Sequence, residues 1–254
     1  CFIITIMYED IYLVGNKLSL LDPAEIDKAE QLIGQKMPPG YREFMTQLGI
    51  GEYCTFIEVY SPQQVVRESQ HWQTFWQGDW PKISPTNTIN KENIAECLWI
   101  ARDNADSLLY YPSQKRFFIM DRDNDDIPDA GLALDEALKA FTANRYGYPL
   151  KIQYFVSTID RCSSIFDLDD SDPKIFEELI EAIVSLGFHD RIEQREGEVT
   201  FFMKEVSTYF HIDSGGNDYE ATLNYDKDYQ NHPNIKTISH LLERYEFELT
   251  FDIS

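Results

Sequence analysis

The stretch Leu21–Tyr60, LDPAEIDKAEQLIGQKMPPGYREFMTQLGIGEYCTFIEVY, decides how the first half of the chain is predicted to fold. It predicts a helix, a proline turn, a second helix and a strand. The first helix begins with Asp22 as N-cap and Pro23 at its first position, where both residue types are favoured. It ends at Gly34, because glycine readily adopts the left-handed conformation that closes helices.

The second helix is predicted to begin after Pro38-Pro39 and to end at Gly49. Four apolar residues recur along it at helical spacing: Tyr41, Phe44, Met45 and Leu48. Such a stripe indicates a helix that packs one face on a core and leaves the other in solvent.

The same stretch fits the pattern E-x-x-x-G-x-x-x-P-x-x-Y-x-x-F-x-x-x-x-G. The matching residues are Glu30, Gly34, Pro38, Tyr41, Phe44 and Gly49. This pattern resembles the start of SUKH-superfamily domains, which unite a fungal cell-wall-synthesis regulator with many bacterial immunity proteins. The resemblance implies an α+β fold, with a mixed or antiparallel sheet and packed helices.

Segments further along extend the resemblance to cover about residues 20–145. The family usually has a glycine pair at a turn where this chain has Asn104-Ala105. The matching segments are the strand Leu98–Ala101, the turn Asp103–Asp106, the strands Leu108–Tyr111 and Arg116–Asp121, and the helix Leu134–Phe141.

Two domains are predicted, a SUKH-like domain over residues 1–148 and a smaller α+β domain of no recognised family over 149–254. Gly147 and Pro149 interrupt a helix at this boundary, and a strand follows at Ile152–Val156. The second domain is predicted to contain a helix between Asp172 and Gly187, strands Arg191–Arg195, Val199–His211 and Tyr219–Tyr225, a helix Ile235–Tyr245 and a strand Phe247–Ile253.

The chain is strongly acidic, with 44 Asp and Glu against 22 Lys and Arg and a formal charge of −22. This charge argues against binding nucleic acid or an anionic membrane, because both would be repelled. It suits a basic protein partner, although an acidic surface also serves solubility alone. The four cysteines show no metal-ligand spacing, which is typical of a reduced cytoplasmic protein.

We predict no catalytic residue, no cofactor and no metal. The acidic run from Asp121 to Asp126 begins like a calcium loop, but it lacks the glycine at position six and the glutamate at position twelve. His211 and Asp213 offer an imidazole and a carboxylate on one strand face, without further residues at metal-ligand spacing.

The residues predicted to contact a partner combine carboxylates and aromatic side chains, which suit Lys and Arg. They are Trp80, Asp103, Asp106, Tyr110, Tyr111, Asp121 and Asp123. The alternative is structural: a solvated turn with a half-buried strand, and Trp72, Phe75 and Trp76 on the core face of a helix.

By resemblance, the expected function is that of a non-enzymatic, protein-binding immunity protein that neutralises a basic bacterial toxin. One alternative is a regulatory scaffold related to the fungal cell-wall regulator. A second is an unrecognised metal-dependent hydrolase in the C-terminal half, which would require His211, Asp213 and another carboxylate to converge in one pocket.

Overall fold

The computed structural model of the protein describes residues 8–54, 57–75, 87–90, 92–121, 127–147, 149–158, 161–168, 173–195, 197–214 and 219–253. The α-helices of these residues are α1 Pro23–Ile33, α2 Tyr41–Gln47, α3 Pro62–Phe75, α4 Leu134–Tyr146, α5 Pro173–Leu186 and α6 Pro233–Arg244. No helix of this described part is long and apolar enough to cross a membrane.

The strands form two sheets, so the predicted α+β class is confirmed. The first eight strands in chain order are β1 Tyr12–Leu13, β2 Gly51–Tyr53, β3 Ile57–Val59, β4 Leu98–Arg102, β5 Ser107–Tyr111, β6 Arg116–Met120, β7 Asp129–Gly131 and β8 Tyr154–Ser157. They form one sheet in the order β1-β8-β2-β3-β4-β5-β6-β7.

The remaining strands form a six-stranded sheet in the order β10-β11-β12-β13-β9-β14, and every neighbouring pair is antiparallel. These strands are β9 Arg161–Leu168, β10 Arg191–Arg195, β11 Glu198–Met203, β12 Thr208–Ser214, β13 Tyr219–Asp226 and β14 Glu248–Ile253.

The chain divides into two compact units. The first contains the described residues up to Tyr12 together with Leu18–Val156, and the second contains Leu13–Lys17 and the described residues from Ser157 onward. Strand β8 therefore belongs to the sheet of the first unit, whereas the sequence placed its residues after a boundary at 148. Gly147 does end α4 in the left-handed conformation, at φ 75°, but a helix end is a local signal and does not mark the end of a sheet.

In the first unit, the cap signals work as predicted. Asp22 accepts a hydrogen bond from the Ala24 amide at 2.9 Å, and Gly34 closes α1 at φ 78°. Helix α2 buries Phe44 completely, and the Phe44 ring makes edge contacts with the rings of Tyr8 and Phe155 at centroid distances of 5.4 and 5.7 Å. These contacts anchor α2 in the core of the unit.

In the second unit, α5 and α6 share a core with one face of the six-stranded sheet. Leu179 and Ile183 of α5 and Ile238 and Leu242 of α6 are buried in one cluster with Phe210 of β12. Residues that alternate with the core residues along each strand project from the opposite face of the sheet.

The predicted single strand Val199–His211 is wrong, because the chain turns within it. Strand β11 ends at Met203, a 3₁₀ turn follows at Lys204–Val206, and Ser207 adopts φ 48° before β12 begins. The two strands then pair as an antiparallel hairpin. The turn contains neither glycine nor proline, which are the residues that usually reveal a hairpin in a sequence.

Candidate functional site

Four of the predicted partner residues lie at or beside the β4–β5 hairpin of the first unit, and all four are buried. Asp103, Asp106, Tyr110 and Tyr111 are 8%, 7%, 7% and 8% exposed. Burial also raises the pKa of the Tyr110 phenol. The hairpin brings these residues together, but it leaves little of their surface to a partner, so their role in binding stays a prediction.

The Asp103 carboxylate is hydrogen-bonded within the turn that joins β4 and β5. Its Oδ1 atom accepts hydrogen bonds from the amides of Ala105 at 2.7 Å and Asp106 at 2.6 Å, and Arg145 Nε lies 3.9 Å from its Oδ2 atom. Neither Asn104 nor Ala105 adopts a positive φ. An aspartate side chain therefore forms this turn without a glycine.

We expect Asp103→Ala to lower the free energy of unfolding by about 2 kcal/mol, because one buried and one partly buried amide lose a charged acceptor. Asp103→Asn is the matched control, since its amide oxygen can still accept both bonds, and it should cost less than half as much. Denaturation followed by tryptophan fluorescence measures both, because Trp99 lies in β4 beside the turn. Equal losses in the two variants would contradict this account.

Three predicted contacts remain, and one of them, Asp121, belongs to the described residues. Asp121 is partly exposed just after β6, while Trp80 and Asp123 lie outside the described residues, as does most of the calcium-like run. Trp72 stacks on Trp99 with ring centroids 4.5 Å apart, which agrees with the structural alternative for that residue.

In the part of the chain that the structure describes, His211 and Asp213 do not belong to a recognisable metal centre. His211 Nδ1 lies 2.8 Å from the hydroxyl of Thr200 on the neighbouring strand. No group of three or more His, Cys, Asp or Glu among the described residues has an arrangement that could hold a metal ion. Burial raises the pKa of Cys97 to about 12, so its side chain stays a thiol at neutral pH and is a poor nucleophile.

The sheet of the second unit carries a feature that the sequence did not reveal. Five carboxylates, one from each of five adjacent strands, stand directly opposite one another in the register of the sheet. In order across the sheet, this acidic row is Glu198 (β11), Asp213 (β12), Glu220 (β13), Asp167 (β9) and Glu248 (β14).

The acidic row lies on the face of the sheet opposite the core. Its sequence neighbours Val199, Ile212, Ala221 and Phe166 belong to the buried cluster, and successive residues of a strand point to opposite faces. Glu220 and Glu248 are exposed, and the other three carboxylates are partly exposed. With neighbouring strands about 4.8 Å apart, the row is roughly 19 Å long.

Like charges directly opposite each other destabilise a sheet. Glu198 has Arg195 opposite it on β10, but the neighbours across the sheet from Asp213, Glu220 and Asp167 are all acidic. The next row on the same face does not repeat this pattern, since it places Thr200, His211 and Thr222 side by side. The acidic row is therefore a local concentration of unfavourable charge, and such concentrations are typical of binding surfaces.

Chemically, the acidic row offers carboxylate oxygens in a line on a rigid sheet. Guanidinium and ammonium groups of a protein partner match such a line through charge-assisted hydrogen bonds. A scan against models of known protein families finds no match to this chain, and a search of curated proteins finds no relative.

Proposed function

We propose that this chain is a non-enzymatic protein-binding module, a cytoplasmic immunity protein that neutralises a basic bacterial toxin. The observation that carries the proposal is the acidic row, which concentrates carboxylates on one face of a chain whose net charge is already −22. The resemblance of residues 20–145 to SUKH domains adds the expectation of an immunity role.

Neutralisation would proceed in two steps. The field of the acidic chain first raises the rate of encounter with a basic toxin, an effect that weakens as salt increases. Carboxylates then pair with the Lys and Arg side chains that the toxin uses to hold its own substrate. Because those side chains become occupied, the toxin is blocked without any chemical step.

The proposal predicts the capture of one basic protein. The purified chain would be used to pull partners from the lysate and the secreted fraction of the native host at low and moderate salt, followed by mass spectrometry. We expect a single cationic, toxin-like protein whose recovery falls with salt. Co-expression of the chain should then protect cells from that protein.

A charge-reversed variant and a matched control make the result interpretable. Glu220→Lys changes the centre of the acidic row, while Glu178→Lys makes the same charge change on an exposed position of α5. Only the first should abolish capture. Recovery of several cell-wall or signalling proteins would favour a regulatory scaffold instead, and recovery of no partner would contradict the proposal.

A further inference from the structure

Strand β14 forms an edge of the six-stranded sheet, and β9 is its only neighbour among the described strands. Edge strands usually avoid exposed apolar residues, because an open backbone edge with an apolar surface readily pairs with another chain. On β14, however, Leu249 is 55% exposed and Phe251 is 53% exposed. This edge therefore has both the hydrogen-bonding groups and the apolar surface that a further strand needs.

Carboxylates surround the start of this edge. A cleft of about 680 Å³ lies there, lined by residues of α5, β9, β14 and the end of α6. Its lining includes Glu243, Glu246 and Glu248, all of which are exposed. Asp167, Leu168, Ile175, Phe247 and Thr250 complete the lining.

Two features at this cleft oppose stability. Glu246 adopts φ 64°, a conformation that favours glycine. Glu243 and Glu246 also place negative charge at the C-terminal end of α6, where the helix dipole favours cations, and Arg244 is the basic residue of that last turn. The left-handed conformation of Glu246 belongs to the motif that ends α6, in which the amides of Glu246 and Phe247 donate to the carbonyls of Glu243 and Leu242. The turn therefore holds the Glu246 carboxylate at the cleft in a fixed place.

The register defines the side chains that an added strand would need. Glu248 pairs with Asp167, so it lies on the face of the acidic row, and Leu249 pairs with Phe166, so it lies on the core face. A bulge at Thr250 then brings Phe251 opposite Ile165. An added strand would therefore place basic side chains beside the acidic row and apolar side chains beside Leu249.

The β14 edge could pair with a second copy of this chain or with a segment of another protein, and charge favours the second. A second copy of β14 would bring another Glu248 and, in positions 151–254, a further 22 acidic residues against nine basic ones. Like charges and a bulge both discourage such pairing between identical edges. A basic segment is attracted and not repelled, because its charge is complementary to the carboxylates. Since it need not be identical to β14, its side chains can also be spaced to match the bulge.

We propose that the outer edge of β14 receives an extended, basic segment of a partner protein by strand addition. Lysine or arginine side chains of this segment enter the cleft and continue the acidic row, while its apolar side chains cover Leu249. The proposal rests on the proposed function in one respect only, namely that the partner is a basic protein.

The test uses the full chain and a defined probe, an acetylated and amidated peptide of alternating Lys and Val. We expect the peptide to bind at low salt and to slow hydrogen–deuterium exchange over residues 247–253. The same peptide with a central proline keeps its charge but loses a strand hydrogen bond, so it should give no protection there. Binding without protection of β14 would overturn the proposal, as would no binding of the alternating peptide.

Matched variants separate this edge from general attraction to an acidic protein. The triple variant Glu243→Gln, Glu246→Gln and Glu248→Gln should raise the peptide Kd at least about fivefold, because the charges next to the bound strand are lost. Glu177→Gln, Glu178→Gln and Glu181→Gln make the same charge change on exposed positions of α5 and should have less than about half that effect. Equal effects of the two triples would overturn the proposal.

Apolar variants test the second half of the contact. Leu249→Ser should weaken peptide binding, whereas Leu32→Ser, which changes a residue 64% exposed on α1, should not. Circular dichroism would establish that each variant is folded. If the peptide protects β14 but the host yields no basic partner, strand addition of a basic segment at this edge stands and the immunity proposal fails. A basic partner whose binding is unchanged in all the β14 variants gives the reverse result.

Discussion

Gly49→Ala is expected to lower the free energy of unfolding of the first unit by more than about 3 kcal/mol, which is large for the addition of one methyl group. Gly49 follows α2 at φ 83°, a conformation that costs any L side chain about 1–2 kcal/mol. A Cβ at this position would also overlap the carbonyl group of Ser19 and lie 2.8 Å from the Leu20 amide nitrogen. Because both obstacles are backbone atoms, a change of rotamer cannot relieve the clash.

The Ser19 carbonyl cannot move away from an added Cβ without the loss of a hydrogen bond. It accepts a hydrogen bond from the Ile50 amide at 3.0 Å, so moving it would break the contact that holds the segment before α1 against the end of α2. The effect of the substitution should therefore exceed the cost of the backbone conformation alone.

Gly34→Ala is a matched control for Gly49→Ala. Gly34 also ends a helix, at φ 78°, but nothing lies within 4 Å of an added Cβ. Its substitution should cost about 1 kcal/mol, which is the conformational term alone. All four tryptophans lie between residues 72 and 99, so denaturation monitored by their fluorescence reports on the first unit. Similar decreases in the free energy of unfolding in the two variants would show that the contact with Ser19 does not contribute to the effect of Gly49→Ala.

These two glycines also show what the sequence could predict. As helix stops, both were predictable, because the helix signal is local and the residues that cap it are adjacent in the chain. The difference in how much each substitution costs was not predictable. It depends on Ser19, which lies against Gly49 although it is 30 residues away in the sequence, and not against Gly34, which is 15 residues away. Local signals predict where an element ends, whereas contacts between elements decide how much that end tolerates change.

The candidate sites show the same difference between local signals and contacts between elements. The sequence shows Asp103 and Asp106 as acidic residues beside aromatic ones, but it does not show that the Asp103 carboxylate accepts two backbone amides. The acidic row could not be predicted at all, because its five members come from five strands and meet only through the register of each pair. The sequence also did not separate β12 from β11, because the turn between them, at Ser207, contains neither glycine nor proline.

The acidic row leads to a prediction in which stability and binding change in opposite directions. Asp213→Asn, Glu220→Gln and Asp167→Asn together remove four pairs of like charges on adjacent strands, including the pair formed by Asp167 and Glu248. At about 0.2–1 kcal/mol for each such pair, the variant should gain roughly 1–2 kcal/mol in the free energy of unfolding. The gain should shrink at high salt, because exposed charges are screened.

The same variant should associate with a basic partner roughly ten times more slowly at low salt, because charges that steer the encounter act mainly on the association rate. Its association rate should also depend less steeply on salt. Stopped-flow kinetics with the captured partner measures both quantities, and thermal unfolding followed by circular dichroism measures the gain in stability.

A control with the same charge change separates the acidic row from the net charge of the chain. Glu177→Gln, Glu178→Gln and Glu181→Gln change one exposed helix face, where the carboxylates do not stand opposite one another across strands. If net charge alone governed binding, the two triple variants would slow association equally. If the carboxylates of the row were merely part of a solvated surface, neither triple would change association and stability in opposite directions. Only a row kept for binding, at a cost to the sheet, combines a more stable protein with a slower encounter.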